Sequence, residues 1–341
     1  MMECKKALTE TDGDMDAAVE VLRKSGAAKA EKKASRIAAE GITRVAIDGS
    51  NAVVVEVNSE TDFVAKNEVF QTFVQSVADQ ALASGLNGGK DGEDVETLLS
   101  QNGLKDTLVE KTATIGEKLS IRRFQKISGD VVVSYIHGGG RIGVLVAANG
   151  DNSDATKEAL ANVAMQVAAM NPQYLSSADI SEAERAKLHE ITVDSALNDP
   201  ASLPKPILQK LIDKAVSEKC WSDEDIAIYE EKKSNMNFLF NFLSDAAKAA
   251  LVQLAMADKE AIVADKIFDG LVKGRISKHE KEICLLEQTY VKAEDGKQSV
   301  AAYLKSVNPA IVITKIVRFE VGECLEKKNE DFAAEVAAQL G

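Results

Sequence analysis

The chain has 341 residues, 45% of them apolar and 28% charged, which is enough for two or three globular domains with buried cores. Its net charge of −13 argues against general binding to nucleic acid or anionic lipid and suits a protein that meets other proteins. No apolar run approaches the ~18 residues of a membrane span and no signal-peptide core follows the first residues, so a cytoplasmic protein is the expectation.

Residues 2–8 predict a first short helix, and a polar turn follows. Met15, Ala18, Val19 and Leu22 then recur at i, i+3, i+4, i+7, the apolar face of a second helix. Two such helices cannot bury a core alone, so residues 1–26 read as part of a small helical module. Residues 27–40 form a basic linker. The stretch "RKSGAAKAEKKASR" at 23–36 carries six positive charges against one negative, without the interleaved aromatics that stack on bases. A solvated helix is the expectation there.

An internal repeat follows at an offset of 90 residues. Predicted strands 43–47 and 133–137 each lead through a turn, "DGSN" or "GGGR", into a second strand, "AVVVEV" or "IGVLVA". A helix comes next in both copies. Phe70, Phe73, Val74 and Val77 in the first correspond to Leu160, Val163, Ala164 and Val167 in the second. The register agrees in hairpin and helix together, which predicts an α+β fold with two related core subdomains, 41–130 and 131–178 with 283–323. Residues 95–119 read as helical. Residues 179–282, rich in Ala, Lys, Glu and Leu and holding the only Trp, Trp221, read as a helical insertion built as a helical hairpin. Strand character returns at 283–291 and 311–321. In the closing segment, 324–341, Phe332, Val336 and Leu340 share one helical face, and so short a helix needs something to lie against.

Signatures of catalysis are scarce. Four widely spaced cysteines, Cys4, Cys220, Cys284 and Cys324, suit neither a disulfide framework nor a zinc site. "GGGRIG" at 138–143 matches G-x-G-x-x-G, but a dinucleotide fingerprint opens a helix and this one leads into a strand. His189 and His279 have no partner at motif spacing, and His137 sits where a strand meets the glycine turn. No metal ligand set and no cofactor are expected.

"ETDFVAKNE" at 60–68 admits two readings. Phe63 lies seven residues before Phe70, so it could extend the same buried face by two turns with Asp62 as helix cap. Against that, the second copy has "NSDATKE" at this place, with no aromatic. The repeated fold therefore does not require a Phe there, and Phe63 could be aimed at a partner.

The motifs "MMECKKAL" at 1–8, "TDFVAKNE" at 61–68, "IGEKLSIRR" at 115–123, "HGGGRIGVLVA" at 137–147, "RFEVGE" at 318–323 and "DFAAEVAAQ" at 331–339 resemble the bacterial elongation factor Ts family. These are the exchange factors for the translational GTPase elongation factor Tu. The resemblance implies a ubiquitin-associated-like N-terminal module, here truncated at Met-Met, two related core subdomains, a coiled-coil insertion, here enlarged, and a C-terminal helical module. It implies that Thr61, Asp62, Phe63 and Val64 enter the partner beside its nucleotide and dislodge the elements that hold Mg²⁺. Ile115 and His137 would supply further contacts, as would Met1 and Met2 and the C-terminal Phe332 and Val336. Elongation factor Tu would be the partner, with a homodimer through the insertion left open. The competing classes are a helical coiled-coil scaffold without exchange activity and, resting on "GGGRIG" alone, a nucleotide-dependent enzyme.

Overall fold

The computed structural model describes residues 2–326, apart from the side chains of Met2, Glu3 and Asn237. It is a mixed α+β fold with helices at the N-terminus and two antiparallel sheets. The described residues divide into two compact units, residues 2–171 with 290–326, and Pro172–Thr289.

The first unit begins with α1 (Met2–Glu10) and α2 (Met15–Lys33). Asp14 starts α2 by accepting a hydrogen bond from Ala17 N at 3.0 Å, the usual role of an Asp at an N-cap. The helix runs unbroken past Gly26 through much of the basic stretch.

The first sheet is built on the hairpin β1 (Glu40–Asp48) and β2 (Asn51–Ser59). After β2 come α3 (Asp62–Ala65) and α4 (Glu68–Ala83), then the two-residue β3 (Gly88–Gly89). The region expected as one helix over 95–119 is two, α5 (Val95–Leu99) and α6 (Leu104–Ile115). Asn102 and Gly103 between them adopt left-handed backbone, φ 51° and 68°, which a helix interior cannot accommodate. α2 lies against α6, where a Cβ on Gly26 would sit 3.7 Å from that of Ala113. The chain then enters β4 (Ser120–Ser128), a strand that the sequence reading passed over. The sheet order is β1-β2-β4-β3.

The second sheet joins β5 (Val131–His137), β6 (Ile142–Asn149) and β7 (Val312–Glu320) in that order, with α7 (Asp154–Met170) after β6. Hairpin and helix thus recur at the repeat's two places, and both sets of four apolar helix residues are buried. Region 283–291 adds no strand to this sheet. Cys284 makes only an isolated parallel bridge to Tyr174.

β2 explains why the run of valines is continuous. Val53, Val55 and Val57 bury against Phe70, Phe73 and Val77 of α4, while Ala52 and Val54 point the other way, into a core shared with Leu145, Ala147, Val317 and Phe319 of the second sheet. A strand covered on both faces loses the alternation of a half-exposed one. The "GGGR" turn serves this packing. Gly140 has φ +110° and its carbonyl accepts from Thr43 N at 2.7 Å and Thr43 Oγ1 at 2.9 Å, and a Cβ there would lie 3.0 Å from that of Ile42. The glycine motif is a hairpin turn seated on β1.

The second unit holds seven α-helices, from Glu182–Leu197 to Lys266–Ile283, where the sequence suggested a hairpin of two. They enclose a core of their own around Trp221, Leu211, Leu251 and Phe268. The indole Nε1 donates to Ala247 O at 3.0 Å, which satisfies its one polar atom.

Candidate protein-contact site

The 60–68 stretch leaves β2 and forms one turn of helix before α4. Two caps account for that shape. Thr61 is the N-cap of α3 and accepts from Val64 N, while Asn67 caps α4 by accepting from Val69 N at 2.8 Å and Phe70 N at 3.3 Å. The second cap breaks the helical register, so Phe63 does not continue the apolar face of Phe70. Its ring is 79% exposed. The core reading of Phe63 is therefore corrected, as is Asp62 as cap: Val64, the next residue, takes the place in the core.

Asp62 is exposed and pairs with Lys66 at 2.7 Å. The hydrogen bond from that ammonium is the main reason its carboxyl lies below the usual Asp range. The same ammonium sits 6.0 Å from the Phe63 ring centroid. The loop thus presents a bare aromatic ring beside a compensated ion pair.

The backbone beneath it is tied down. Glu117, just after α6, accepts from Glu60 N at 3.1 Å and Thr61 N at 2.9 Å through Oε2, and from Thr61 Oγ1 at 2.7 Å through Oε1. Glu60 in turn accepts from Lys118 N at 2.6 Å. Ile115, half-buried at the end of α6, packs on the core that holds Val64.

His137 ends β5 with its ring exposed and Nδ1 3.1 Å from the Tyr135 hydroxyl. The turn after it meets the same end of the first sheet that carries the loop: Arg141 pairs with Glu40 at 2.9 Å, and Glu40 faces Ser59 in the β1–β2 ladder. Phe63, Ile115 and His137 thus belong to connected elements of one unit. Met1, Phe332 and Val336 lie outside the described residues, as does the side chain of Met2.

The sequence reading missed a buried charge cluster behind this end. Glu56 on β2 is fully buried and pairs with Arg123 Nε at 2.6 Å and Arg122 Nη1 at 2.9 Å, and it accepts from Gly322 N at 2.9 Å. Arg123 also reaches Glu323 at 3.1 Å and stacks over the Phe319 ring at 4.2 Å. The cluster ties β2 and β4 of one sheet to the end of β7 in the other. Its only sequence signal was the charge pair inside "SIRR", on the strand that was passed over. Glu117 gave none, because its partners lie more than fifty positions away with no periodic relation to it.

A tied-down backbone that leaves an aromatic ring exposed is a shape suited to contact with another protein, and the site offers no group arranged for covalent catalysis among the described residues. The comparisons make this particular. The family model for elongation factor TS matches residues 60–234 and 246–323. Elongation factor Ts of Clostridioides difficile (strain 630) is 40% identical over 351 aligned positions, covering 100% of this chain and 93% of the relative. Elongation factor Ts of Lactobacillus delbrueckii subsp. bulgaricus (strain ATCC BAA-365 / Lb-18) is 41% identical over 355, covering 100% and 94%. The chain belongs to the elongation factor Ts family, nucleotide exchange factors for elongation factor Tu in translation elongation and not catalytic enzymes. The matches run through the helical unit as well, although none of the motifs that carry the resemblance lies in it.

Proposed function

We propose that the 61–64 loop is the element of this chain that opens the nucleotide site of elongation factor Tu. The observation that carries the reading is the 79% exposure of Phe63 on a loop whose neighbours are anchored. Burying that ring between partner helices yields about 1.5–3 kcal/mol, and Asp62 contacts the partner's backbone or side chains beside it. The displaced elements are those that hold Mg²⁺ on the partner. The ion neutralises phosphate charge, so disturbing its shell weakens retention of GDP.

No covalent step is needed. The coupling is reciprocal: a factor that loosens GDP binds the nucleotide-free partner more tightly, and each ~1.4 kcal/mol of coupling changes nucleotide affinity tenfold. GTP then replaces GDP and releases the factor. Ile115 and His137 supply contacts to the same partner, His137 to a different domain of it. Met1 and Met2, in a ubiquitin-associated-like module, and Phe332 and Val336, in a C-terminal helical module, dock on its GTP-binding domain.

The two hairpin-and-helix regions act as related core subdomains, and the helical unit is the family's insertion. A homodimer through that unit is the further partner left open, and the exposed Phe238 and Phe242 are apolar side chains it would cover. The chain works in the cytoplasm, where translation elongation takes place. Among the described residues no helix is long and apolar enough to cross a membrane. Release of fluorescent GDP from elongation factor Tu tests the reading. This chain accelerates release and Phe63→Ala suppresses the acceleration; equal acceleration by both proteins would refute the role given to the loop.

A further inference from the structure

Glu60 and Glu117 each accept hydrogen bonds from the backbone of the other's segment in a way the fold alone does not demand. β2 ends at Ser59, so the next two amides, Glu60 N and Thr61 N, have no strand partner and still need acceptors. Glu117 Oε2 takes both, and its Oε1 takes the Thr61 hydroxyl. In return, Glu60 Oε1 takes Lys118 N, two residues after Gly116, whose φ of +89° turns the chain out of α6. Two carboxylates of like charge thus hold each other's segments, Glu117 the amides of residues 60 and 61 and Glu60 that of Lys118. Arg36 Nη1 lies 3.2 Å from Glu60, and Lys118 Nζ donates to Arg36 O at 2.8 Å, which supplies the balancing positive charge.

We propose that this reciprocal carboxylate clamp, with Glu117 as its principal positioning residue, pre-sets the loop that presents Phe63; the proposal rests on the exchange role given to that loop. Phe63 is bracketed by two fixed points. Thr61 is held by Glu117 on one side, and Val64 is buried in the core on the other. The ring itself makes no core contact to hold it, so its direction is set by these two anchors. An element fixed before binding spares the complex the entropy of ordering it. The clamp also joins the loop to the end of α6, so Phe63 and Ile115 meet the partner in one fixed relation.

The test uses the full chain and five proteins: wild type, Glu117→Ala, Glu117→Gln, Phe63→Ala, and Phe63→Ala with Glu117→Ala. Release of fluorescent GDP from elongation factor Tu is followed across concentrations of each, with thermal unfolding alongside. Glu117→Ala lowers sub-saturating exchange about tenfold, equivalent to ~1.4 kcal/mol. Glu117→Gln recovers most of it, because the amide oxygen still accepts both N–H groups and its NH₂ donates to the Thr61 hydroxyl. On the Phe63→Ala background, Glu117→Ala costs little more, since the ring it positions is gone. Equal fold-losses on both backgrounds, or no loss while Phe63→Ala is damaging, would overturn the clamp and leave the loop's role standing. Full activity of Phe63→Ala would instead remove that role and the clamp with it.

Discussion

Phe63 and Val64 are neighbours in sequence and opposites in burial: the ring is 79% exposed, and the valine, at 9%, is packed in the core beneath α4. One turn of helix, capped by Thr61 and ended before Asn67, sets the two side chains about 100° apart around its axis, one towards solvent and the other towards the core. The larger apolar residue faces solvent although folding would gain more by burying it. A partner that buries the ring on binding accounts for that choice.

The pair makes a contrasting prediction. Phe63→Ala leaves the thermal midpoint nearly unchanged, within ~0.5 kcal/mol, as a surface substitution does. Val64→Ala removes buried methyl groups and costs about 1–3 kcal/mol. Urea unfolding of both variants checks this, and a larger loss for Phe63→Ala than for Val64→Ala would place the ring in the core after all.

Glu56 carries a second prediction. Its carboxylate is fully buried between Arg122 and Arg123, and removing it strips Arg122 of its anion and leaves Arg123 only the half-buried Glu323. Breaking a buried pair from one side costs about 3–5 kcal/mol, so Glu56→Ala lowers the free energy of unfolding by that order. A cost below ~1 kcal/mol would mean that the pair is as weak as an exposed one.

Acid acts on the helical unit through Asp225. Burial alone would raise this carboxyl, but hydrogen bonds from the Ser222 hydroxyl, Ser244 N and the Ser244 hydroxyl outweigh it and hold it below the usual Asp range. A carboxyl depressed in the folded state stabilises above its unfolded value of ~3.9 and loses that contribution as pH falls through the folded one. Stability of the unit therefore falls below about pH 4, and Asp225→Asn flattens this part of the slope. Trp221, in the same core, reports it by fluorescence. An unchanged slope in the variant would assign the acid transition to other carboxylates.

Cys284 gives the alkaline counterpart. Burial, helped by the carboxylates of Glu287 and Glu280, pushes its thiol up to about 11. The folded state keeps the neutral thiol, so its contribution is full below the ordinary thiol value of ~8.5 and is lost as pH rises towards about 11. Cys4, Cys220 and Cys324 are exposed. Alkylation of the native protein at neutral pH modifies those three and reaches Cys284 only on unfolding. Modification of Cys284 at the rate of the others would contradict its burial.

Much of the first unit was legible because it is written in periodicities. The two hairpins and the faces of α4 and α7 follow from alternation and 3.6-residue spacing, and the glycine turn declared itself by leading into a strand. The absence of an aromatic in the second copy pointed to Phe63 as a residue the fold does not need. What was hidden depends on contacts remote in sequence. β4 was passed over because "SIRRFQKIS" sets two arginines side by side, and only the buried Glu56 on the neighbouring strand makes their placement intelligible. The helical unit was read as a hairpin because amphipathic spacing reveals that helices exist, not how many share one core. Glu117 is a single carboxylate among 54 acidic residues, chosen by geometry alone.

The most direct measurement of the central claim is calorimetric binding of wild type and Phe63→Ala to elongation factor Tu, both nucleotide-free and loaded with GDP. By reciprocity, a side chain that loosens GDP must contribute more to the nucleotide-free complex than to the GDP complex. The account predicts that Phe63→Ala weakens binding to the nucleotide-free partner about tenfold, ~1.4 kcal/mol, and binding to the GDP form much less. Equal weakening of both complexes would make Phe63 an ordinary contact and contradict its role in nucleotide release.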